Sequence, residues 1–441
     1  MKKWYLFVLV LLVLVMALTG CTEKSKLSPD NPVILTLWHV YGENADAPMN
    51  RLVEEFNSTV GKEKGIVVTV TNVTSTSKIN AQLQNAMSGE PGAPQLPDLF
   101  SAHTNTAASK ADRLLNWNDY FTQEELAKYV PSFLEDGTIN NQLLVFPVSK
   151  SSYALFINGS QFERFSADTG VTYEDLATWE GFFDAAAKYY AWSGGKTFCV
   201  FDYLIRHMEF DIMAQTGGIE YTDDGWYHLD DPAVKASWMK FAAPLAQGHI
   251  AVADTYSNTQ VMTGETISGI GSTASINYYN DTVTYPDNTS EPTNLQVLPL
   301  PRTGDGTQYM PVTGVGLSAF KTTEQKGEAA AEFVRWFTES QRNLDFVVET
   351  GYMPVRTDAF ASIDDYQYPT TGHANLYRTI QVMLESYSPV VRPDFDGFYN
   401  RVDALYSGLR QMRPTLIERS ENGEDVSVLA ESVWDFLCSV E

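Results

Sequence analysis

The sequence contains few cysteines, and their spacing excludes two classes of protein. Three occur in 441 residues, at Cys21, Cys199 and Cys438. None belongs to a Cys-x-x-Cys pair or to a cysteine–histidine cluster with zinc spacing, so we expect neither a disulfide scaffold nor a structural zinc site. Cys199 and Cys438 can pair only if their Cα atoms come within about 7 Å, which the sequence leaves open.

Positive charge is also scarce. Lys and Arg total 30 against 55 Asp and Glu, which gives a formal net charge of -25. Such a field repels phosphate backbones and anionic lipid headgroups, and it excludes general nucleic-acid binding. A chain of 441 residues that is 44% hydrophobic predicts a globular protein, and its length is typical of about two or three domains.

Motifs for catalysis are missing as well. The six histidines are scattered and form no His-Glu-x-x-His pair, and there is no phosphate-binding loop or dinucleotide fingerprint. The stretch Gly269-Ile-Gly-Ser-Thr273 lacks the Gly-x-Ser-x-Gly spacing of a nucleophile elbow. The sequence therefore predicts no catalytic residue, metal or cofactor and favours a binding protein over an enzyme. Because carboxylates are plentiful, a glycosidase pair stays open.

One long apolar run is present, at the N-terminus. Lys2 and Lys3 precede the apolar residues 4–18, a pattern typical of an export signal and too short for a comfortable membrane span. The run ends in Leu18-Thr-Gly-Cys21, which resembles the lipobox of bacterial lipoproteins. That resemblance implies a signal peptide over 1–20 and lipidation of Cys21. Residues 21–32 are polar and contain two prolines, which indicates a solvated tether.

Strand-like and helical patterns alternate after the tether. They predict a strand at 33–38, a helix at 45–56, a strand at 66–73, a helix at 79–87 and a short strand at 98–100. This order is typical of an α/β body with a largely parallel sheet, in which ligands bind at loops beyond the carboxyl ends of strands. Those loops are 40–44 and 101–106.

The later sequence indicates a second lobe. Residues 172–300 are rich in aromatics and glycines and contain helical patterns at 182–190, 207–215 and 234–246. A strong helical stripe returns over 327–348, and several further helices are predicted after 377. No internal repeat of solenoid period is present.

A set of short motifs resembles the group-one extracellular solute-binding proteins of ABC importers, the family that includes maltose-binding and glycerol-3-phosphate-binding proteins. The motifs occur in the family's order between 33 and about 358. They are Leu35-Thr-Leu-Trp-His39, Glu54-Glu-Phe-Asn57, Leu96-Pro-Asp-Leu-Phe100, the stretch from Val145 to Asn158, Thr172-Tyr-Glu-Asp-Leu176, Gly314-Val-Gly-Leu-Ser-Ala-Phe320, Glu328-Ala-Ala-Ala-Glu-Phe333 and Thr350-Gly-Tyr-Met-Pro-Val-Arg356.

The resemblance implies an α/β, two-lobed periplasmic-binding-protein-like fold of type II. Each lobe would be a mixed β-sheet flanked by helices, and hinge strands would join the lobes. The implied division is 33–148 and 305–352 for lobe 1, and 153–300 and 353–441 for lobe 2, with crossings near 150–152, 300–304 and 352–354. A solute trapped between closing lobes would be delivered to the permease of an ABC importer. The implied protein is an extracytoplasmic, lipid-anchored and monomeric lipoprotein of the bacterial cell membrane.

Aromatic residues make up 12% of the sequence, and this abundance favours a sugar as the ligand. The C–H face of a sugar stacks on aromatic rings, while its hydroxyls need polar partners. The expected ligand-binding residues are aromatic or polar positions at the implied cleft, with Gly314 included because it lets backbone approach a ligand. They are Tyr41, Glu43, Ser101, His103, Thr104, Ser152, Tyr153, Tyr173, Tyr203, Arg206, Ser272, Thr273, Gly314, Tyr352 and Arg392.

Departures from the family pattern leave alternatives open. Tyr173 stands where the family often has tryptophan, and the glycerol-3-phosphate branch would have a tyrosine near Ser75 and a glutamate near Thr104. Arg392 resembles that branch's phosphate contact, so capture of glycerol-3-phosphate or a glycerophosphodiester is the alternative to a carbohydrate. A secreted carbohydrate-active enzyme and a solute sensor are two further alternatives.

Overall fold

The structure is a computed structural model, which describes residues 26–42, 46–73, 75–393, 395 and 397–440. The predicted signal peptide, the lipidated Cys21 and the candidate ligand residue Glu43 lie outside the described residues.

Strands and helices alternate along the described chain. The strands are β1 (Val33–His39), β2 (Ile66–Asn72), β3 (Leu99–Ala102), β4 (Thr138–Ile139), β5 (Gln142–Leu143), β6 (Phe146–Pro147), β7 (Tyr153–Ile157), β8 (Cys199–Phe201), β9 (Ile250–Ala251), β10 (Ser268–Ser272), β11 (Thr282–Thr284), β12 (Ser290–Pro292), β13 (Gln296–Leu298), β14 (Gln308–Pro311), β15 (Gly316–Ala319) and β16 (Tyr387–Val390).

The α-helices are α1 (Pro48–Ser58), α2 (Val60–Lys64), α3 (Thr76–Ser88), α4 (Thr104–Ala108), α5 (Gln123–Leu126), α6 (Pro131–Asp136), α7 (Gly159–Thr169), α8 (Trp179–Ser193), α9 (Leu204–Thr216), α10 (Pro232–Ala246), α11 (Ser257–Met262), α12 (Glu324–Phe337), α13 (Ser340–Thr350), α14 (Thr371–Ser386), α15 (Phe398–Glu421) and α16 (Val426–Ser439).

Two five-stranded mixed sheets organise these elements. The first has the strand order β2-β1-β3-β15-β6, with β1 parallel to β2 and β3, and β15 antiparallel to β3 and β6. The second has the order β13-β7-β10-β8-β9, with β8 parallel to β9 and β10, and β7 antiparallel to β10 and β13. The predicted α/β fold class of mixed sheets flanked by helices is confirmed.

Strand β7 divides its side chains between two hydrophobic cores. Ala154 and Phe156 belong to the core that contains the first sheet, whereas Tyr153, Leu155 and Ile157 belong to the core around α8–α10 and the C-terminal helices. Successive side chains of a strand point to opposite faces, so one apolar strand covers both cores. The first core therefore continues from the first sheet onto one face of the second.

Several predicted details take a definite form in the structure. The stripe over 327–348 forms two helices, α12 and α13, because Thr338 and Glu339 interrupt it. Glu339 then caps α13 by accepting hydrogen bonds from the N–H groups of Gln341 and Arg342.

Cys199 is buried in β8, Cys438 is exposed on α16, and both are free thiols. Over the described ranges, no helix is long and apolar enough to span a bilayer.

Candidate functional site

A cleft of about 1010 Å³ opens at the carboxyl ends of β3, β8 and β9, and residues associated with both sheets line it. Strand β3 leads into His103 and Thr104, β8 into Asp202 and Tyr203, and the segment after β9 supplies 253–256. The carboxyl ends of parallel strands are the usual place for ligands in open α/β sheets. The volume is at the upper end of the range for small-molecule pockets.

One side of the cleft, here called the tyrosine wall, consists of Tyr153, Tyr203, Tyr256, Tyr399 and Tyr406. The rings of Tyr153 and Tyr203 stack with centroids 4.9 Å apart and an interplanar angle of 9°. Tyr256 and Tyr399 are 67% and 63% exposed, an unusual position for large aromatic rings. Open ring faces of this kind offer stacking surfaces to a ligand.

A second group of lining residues, here called the polar wall, consists of His103, Thr104, Asn105, Thr313 and Gly314. His103 Nδ1 lies 3.1 Å from the Gly314 carbonyl oxygen, which joins the end of β3 to the segment before β15. Gly314 has φ +100°, a conformation that L side chains rarely adopt. The glycine is therefore required by the backbone, and its carbonyl orients the histidine.

Thr104 connects the polar wall to a buried ion pair. Its hydroxyl donates to the backbone carbonyl of Asp136 at 2.7 Å, and the Asp136 carboxylate pairs with Lys150, which is only 1% exposed. Lys150 also exchanges backbone hydrogen bonds with Met353. Because a buried lysine is stable only with such partners, the pair fixes the chain crossing beside the cleft.

Three arginines line the cleft, Arg206, Arg392 and Arg410, and one buried carboxylate neutralises part of the charge of the first two. Glu209 is fully buried, and it accepts hydrogen bonds from Arg206, from Arg392 Nε at 3.1 Å and from the Tyr227 hydroxyl at 2.6 Å. Arg392 Nη2 is buried without a hydrogen-bond partner among the described residues. The guanidinium groups are thus oriented toward Glu209, and the cluster as a whole carries one net positive charge.

Carboxylates face the rest of the cleft. Burial raises the pKa of Asp202 from 3.8 to about 6, even though the Ser257 N–H donates to this carboxylate at 2.6 Å and opposes the shift. Asp254 and Asp403 are exposed on the cleft surface. Within the described residues, none of these three carboxylates forms a salt bridge. The cleft therefore offers several hydrogen-bond acceptors beside the net positive charge of the arginine cluster and that of Arg410, whose Nη1 donates to the Ala253 carbonyl oxygen at 3.2 Å.

Three phenols of the tyrosine wall, those of Tyr153, Tyr203 and Tyr406, stay protonated. Burial raises the pKa of Tyr153, Tyr203 and Tyr406 well above its ordinary value of 10. A protonated phenol both donates and accepts hydrogen bonds, as a ligand hydroxyl does. The wall can therefore contact a ligand through ring faces and through hydroxyl edges.

The structure brings about half of the expected ligand residues together at the cleft: His103, Thr104, Tyr153, Tyr203, Arg206, Gly314 and Arg392. Glu43 lies outside the described residues, and three of the others pack elsewhere. Tyr41 is buried, shares a hydrogen bond with Ser149 and packs edge-on against Phe346. Tyr352 packs on the first core, and Tyr173 stacks on Phe162 at 4.3 Å.

The remaining expected residues that the structure describes do not line the cleft. Ser101 is buried within β3, and its hydroxyl has no hydrogen-bond partner among the described residues. Ser152 and Thr273 bond to each other across the strands, with the Thr273 N–H donating to the Ser152 carbonyl at 2.8 Å. Ser272 caps the short 3-10 helix that follows β10.

Sequence reasoning missed the cleft residues of α15. Tyr399, Asp403, Tyr406 and Arg410 recur at i, i+4, i+7 and i+11 and line the cleft as one helix face. That spacing is visible in the sequence and could have identified a polar and aromatic stripe. Asp202 and Tyr256 follow short strands and carry no comparable signal.

Metal binding has no candidate residues in the part of the chain that the structure describes. No group of three or more His, Cys, Asp or Glu side chains converges in a way that could hold an ion. His207 is buried among rings, and burial lowers its pKa to about 3, so it stays neutral.

Solved structures with the same fold are solute-binding proteins. A cyclic alpha-maltosyl-1,6-maltose binding protein from Arthrobacter globiformis superposes with a TM-score of 0.65 at 16% identity, over 93% of this chain and 99% of that one. UgpB from Mycobacterium tuberculosis, in complex with glycerophosphocholine, gives 0.63 at 18% identity, over 93% and 98%. The sugar-binding protein MalE from Xanthomonas citri gives 0.64 at 16% identity, over 92% and 98%. At these identities the likeness establishes the two-lobed fold.

Sequence comparison identifies the family. No curated protein sequence matches the chain significantly. Residues 51–371 match the family described as bacterial extracellular solute-binding protein, which is well over half of the chain. The resemblance predicted from the motifs is confirmed, and the protein belongs to the family of bacterial extracellular solute-binding proteins.

Proposed function

We propose that the protein captures a carbohydrate in the cleft and delivers it to an ABC importer. The observation that carries this proposal is the tyrosine wall, where the stacked pair Tyr153–Tyr203 adjoins the exposed rings of Tyr256 and Tyr399. Sugar rings present apolar C–H faces to such rings. Two of the structural relatives are described as maltosyl-maltose and sugar-binding proteins, which supports the same ligand class.

The electrostatics of the cleft favour a ligand without net negative charge. Three carboxylates, Asp202, Asp254 and Asp403, face the space, against one net positive charge on the cluster of Glu209 with its two arginines and one on Arg410. A dianionic phosphate would have to approach these carboxylates and compete with Glu209 for the guanidinium groups. Neutral hydroxyls can instead donate to the carboxylates and accept from the phenols.

Lobe closure is the proposed means of capture. The division is 33–148 and 305–352 for lobe 1, and 153–300 and 353–441 for lobe 2. Lys150 bonds with Met353, and the Ser151 backbone pairs with Thr313, so neighbouring crossings are tied side by side. A solute that contacts both the tyrosine wall and the polar wall stabilises the closed state, and the permease recognises that state. Partner subunits hydrolyse ATP.

The proposed location is the outer face of the bacterial cell membrane. Family membership supports an extracellular protein, and the lipobox-like Leu18-Thr-Gly-Cys21 supports a lipid anchor at Cys21. Metabolic labelling with a radioactive or clickable palmitate tests the anchor: the wild type should carry label, and Cys21→Ser should not.

Capture of glycerol-3-phosphate or a glycerophosphodiester is the alternative function. It is favoured by the buried, unpartnered Nη2 of Arg392 at the cleft and by the fold shared with a protein solved with glycerophosphocholine. This reading requires the arginine cluster to contact the ligand directly. An Arg392→Gln variant that keeps full affinity for the ligand would contradict it.

A thermal-shift screen of residues 22–441 tests the proposal. The panel contains mono- and oligosaccharides, polyols, glycerol-3-phosphate and glycerophosphocholine. A ligand at a hundred times its Kd adds about 2.7 kcal/mol, which should raise the Tm by about 3 °C for a chain of this size. A shift with a neutral sugar series supports carbohydrate capture, and a shift with phosphorylated compounds alone supports the alternative.

The absence of catalysis is a separate part of the proposal. A secreted carbohydrate-active enzyme would need an acid–base pair of carboxylates about 5–9.5 Å apart across the scissile bond. We expect the sugar that binds to be recovered unchanged after prolonged incubation, as measured by chromatography. Release of shorter sugars that is abolished by Asp202→Asn would instead establish an enzyme.

A further inference from the structure

One face of α15 lines the cleft along three turns of helix. Tyr399, Asp403, Tyr406 and Arg410 all contribute to the cleft surface. With a rise of 1.5 Å per residue, the eleven steps from Tyr399 to Arg410 span about 16 Å. This polar and aromatic face is therefore much longer than the stacked pair Tyr153–Tyr203 alone.

The helix is held rigidly in this position. The Tyr406 hydroxyl accepts a hydrogen bond from the Ile205 N–H at 2.9 Å, which ties α15 to the start of α9. Phe398, Leu405 and Leu409 are buried in the second core. Binding groups on a fixed helix need little ordering when a ligand arrives, so more of the contact energy appears as affinity.

The outer end of this face is open, and a second exposed ring lines the same cleft. Tyr399 is 63% exposed and Tyr256 is 67% exposed, and both line the cleft together with Tyr203. An exposed aromatic ring gains most from being covered by an apolar surface. Asp403 and Asp254 are exposed beside these rings and can accept hydrogen bonds from hydroxyls.

Family membership does not assign this face a role, because the family match ends at residue 371, before α15 begins at Phe398. Resting on the proposed carbohydrate function, we propose that the outer end of α15, with Tyr256, forms a subsite for additional sugar rings, so that the ligand is an oligosaccharide. The inner rings occupy the space at Tyr153 and Tyr203, and the additional rings lie against Tyr399 and Asp403.

Isothermal titration calorimetry on residues 22–441 tests the subsite. The probes are matched mono-, di- and trisaccharides of glucose with α-1,4, α-1,6 and β-1,4 linkages, together with the corresponding xylose, mannose and galactose series. We expect affinity to rise with chain length in one series. Tyr399→Ala should lower the affinity for the trisaccharide about tenfold and change that for the monosaccharide less than twofold.

Two variants separate stacking from other effects. Tyr399→Phe keeps the ring and should retain the preference for the longer sugar. Tyr278→Ala removes another tyrosine of similar exposure, 69%, that does not line the cleft, and it should change neither affinity nor Tm. Because Tyr399 is largely exposed, its replacement should leave the Tm within 1–2 °C, as expected for a surface substitution.

The outcomes distinguish the subsite from the function on which it rests. Equal affinity for mono- and trisaccharide, or an equal effect of Tyr399→Ala on both, overturns the subsite and leaves carbohydrate capture standing. Failure of every sugar series to bind overturns both. A length-dependent loss in Tyr399→Ala, absent in Tyr278→Ala, establishes the subsite.

Discussion

The two walls of the cleft differ in composition and in how they are built. The tyrosine wall combines strand ends of the second sheet with a long helix, and its rings are stacked or exposed. The polar wall is formed by His103 and the start of α4, which follow β3, and by the segment around Gly314. Rings supply contact area, whereas short polar groups supply direction. If the proposed function holds, affinity should come mainly from the tyrosine wall, and the polar wall should contribute chiefly on the proposed closure of the lobes.

The largest expected effect is a loss of folding stability when the buried countercharge of the arginine cluster is removed. Glu209→Gln leaves Arg206 and Arg392 without their buried countercharge. Removing one partner of a buried ion pair costs about 3–5 kcal/mol, so urea should unfold the variant at a much lower concentration. Glu220→Gln replaces an exposed glutamate nearby and should leave the midpoint unchanged. Similar midpoints for the two variants would show that the cluster does not need Glu209.

Asp202 should make stability depend on pH. Its pKa is about 6 in the folded protein against 3.8 ordinarily, so the folded state binds its proton more tightly than the unfolded state does. The ionised carboxylate then lowers the free energy of unfolding as pH rises from about 4 to 6, by ~3 kcal/mol in total.

In the variant Asp202→Asn the side chain no longer titrates, but it keeps an oxygen that can accept the hydrogen bond from the Ser257 N–H. We expect it to be more stable than the wild type at pH 7.5 and equally stable near pH 4, as measured by urea unfolding at both values. A variant that is less stable at pH 7.5 would mean that the carboxylate has a stabilising partner in solution.

Tyr203 tests the contribution of the tyrosine wall. Tyr203→Ala removes the ring stacked on Tyr153 and should weaken binding of the preferred sugar by about 2 kcal/mol, roughly 30-fold, by calorimetry. Tyr203→Phe keeps the ring and should bind within a few-fold of the wild type. If the two variants lose equal affinity, the hydroxyl matters and the stack does not.

His103 tests the polar wall. His103→Ala removes the contact with the Gly314 carbonyl and one polar group facing the ligand. A single hydrogen bond contributes about 1 kcal/mol, so affinity should fall roughly fivefold. A loss larger than that of Tyr203→Ala would reverse the ranking of the walls.

The fold was predictable because its patterns are local. The apolar run at 33–38 and the β-branched run at 66–73 became β1 and β2, and the helical spacings at 182–190 and 234–246 fall within α8 and α10. Pairing between distant strands, such as β15 with β3, left no sequence signal. The family resemblance implied only that 305–352 belongs to the same lobe as 33–148.

The site was predictable where it follows strand ends. His103 after β3 and Tyr203 after β8 line the cleft, because each follows the carboxyl end of a strand in its own sheet and the cleft collects residues from both sheets. Tyr41 follows β1 and yet is buried, since Phe346 of α13 packs against it from far along the chain. Tyr399 belongs to a helix whose polar stripe could be solvated or functional, and only tertiary packing decides between these.

The sharing of β7 between two cores has a consequence for how the molecule can be divided. Neither half can be produced alone without exposing the strand's Phe156 side or its Leu155 side to water, which invites aggregation. A split reporter or a fragment-complementation assay made by cutting the chain near residue 150 should therefore fail. Calorimetry of the intact chain should show one melting transition, in which sugar at the cleft delays the loss of both halves together.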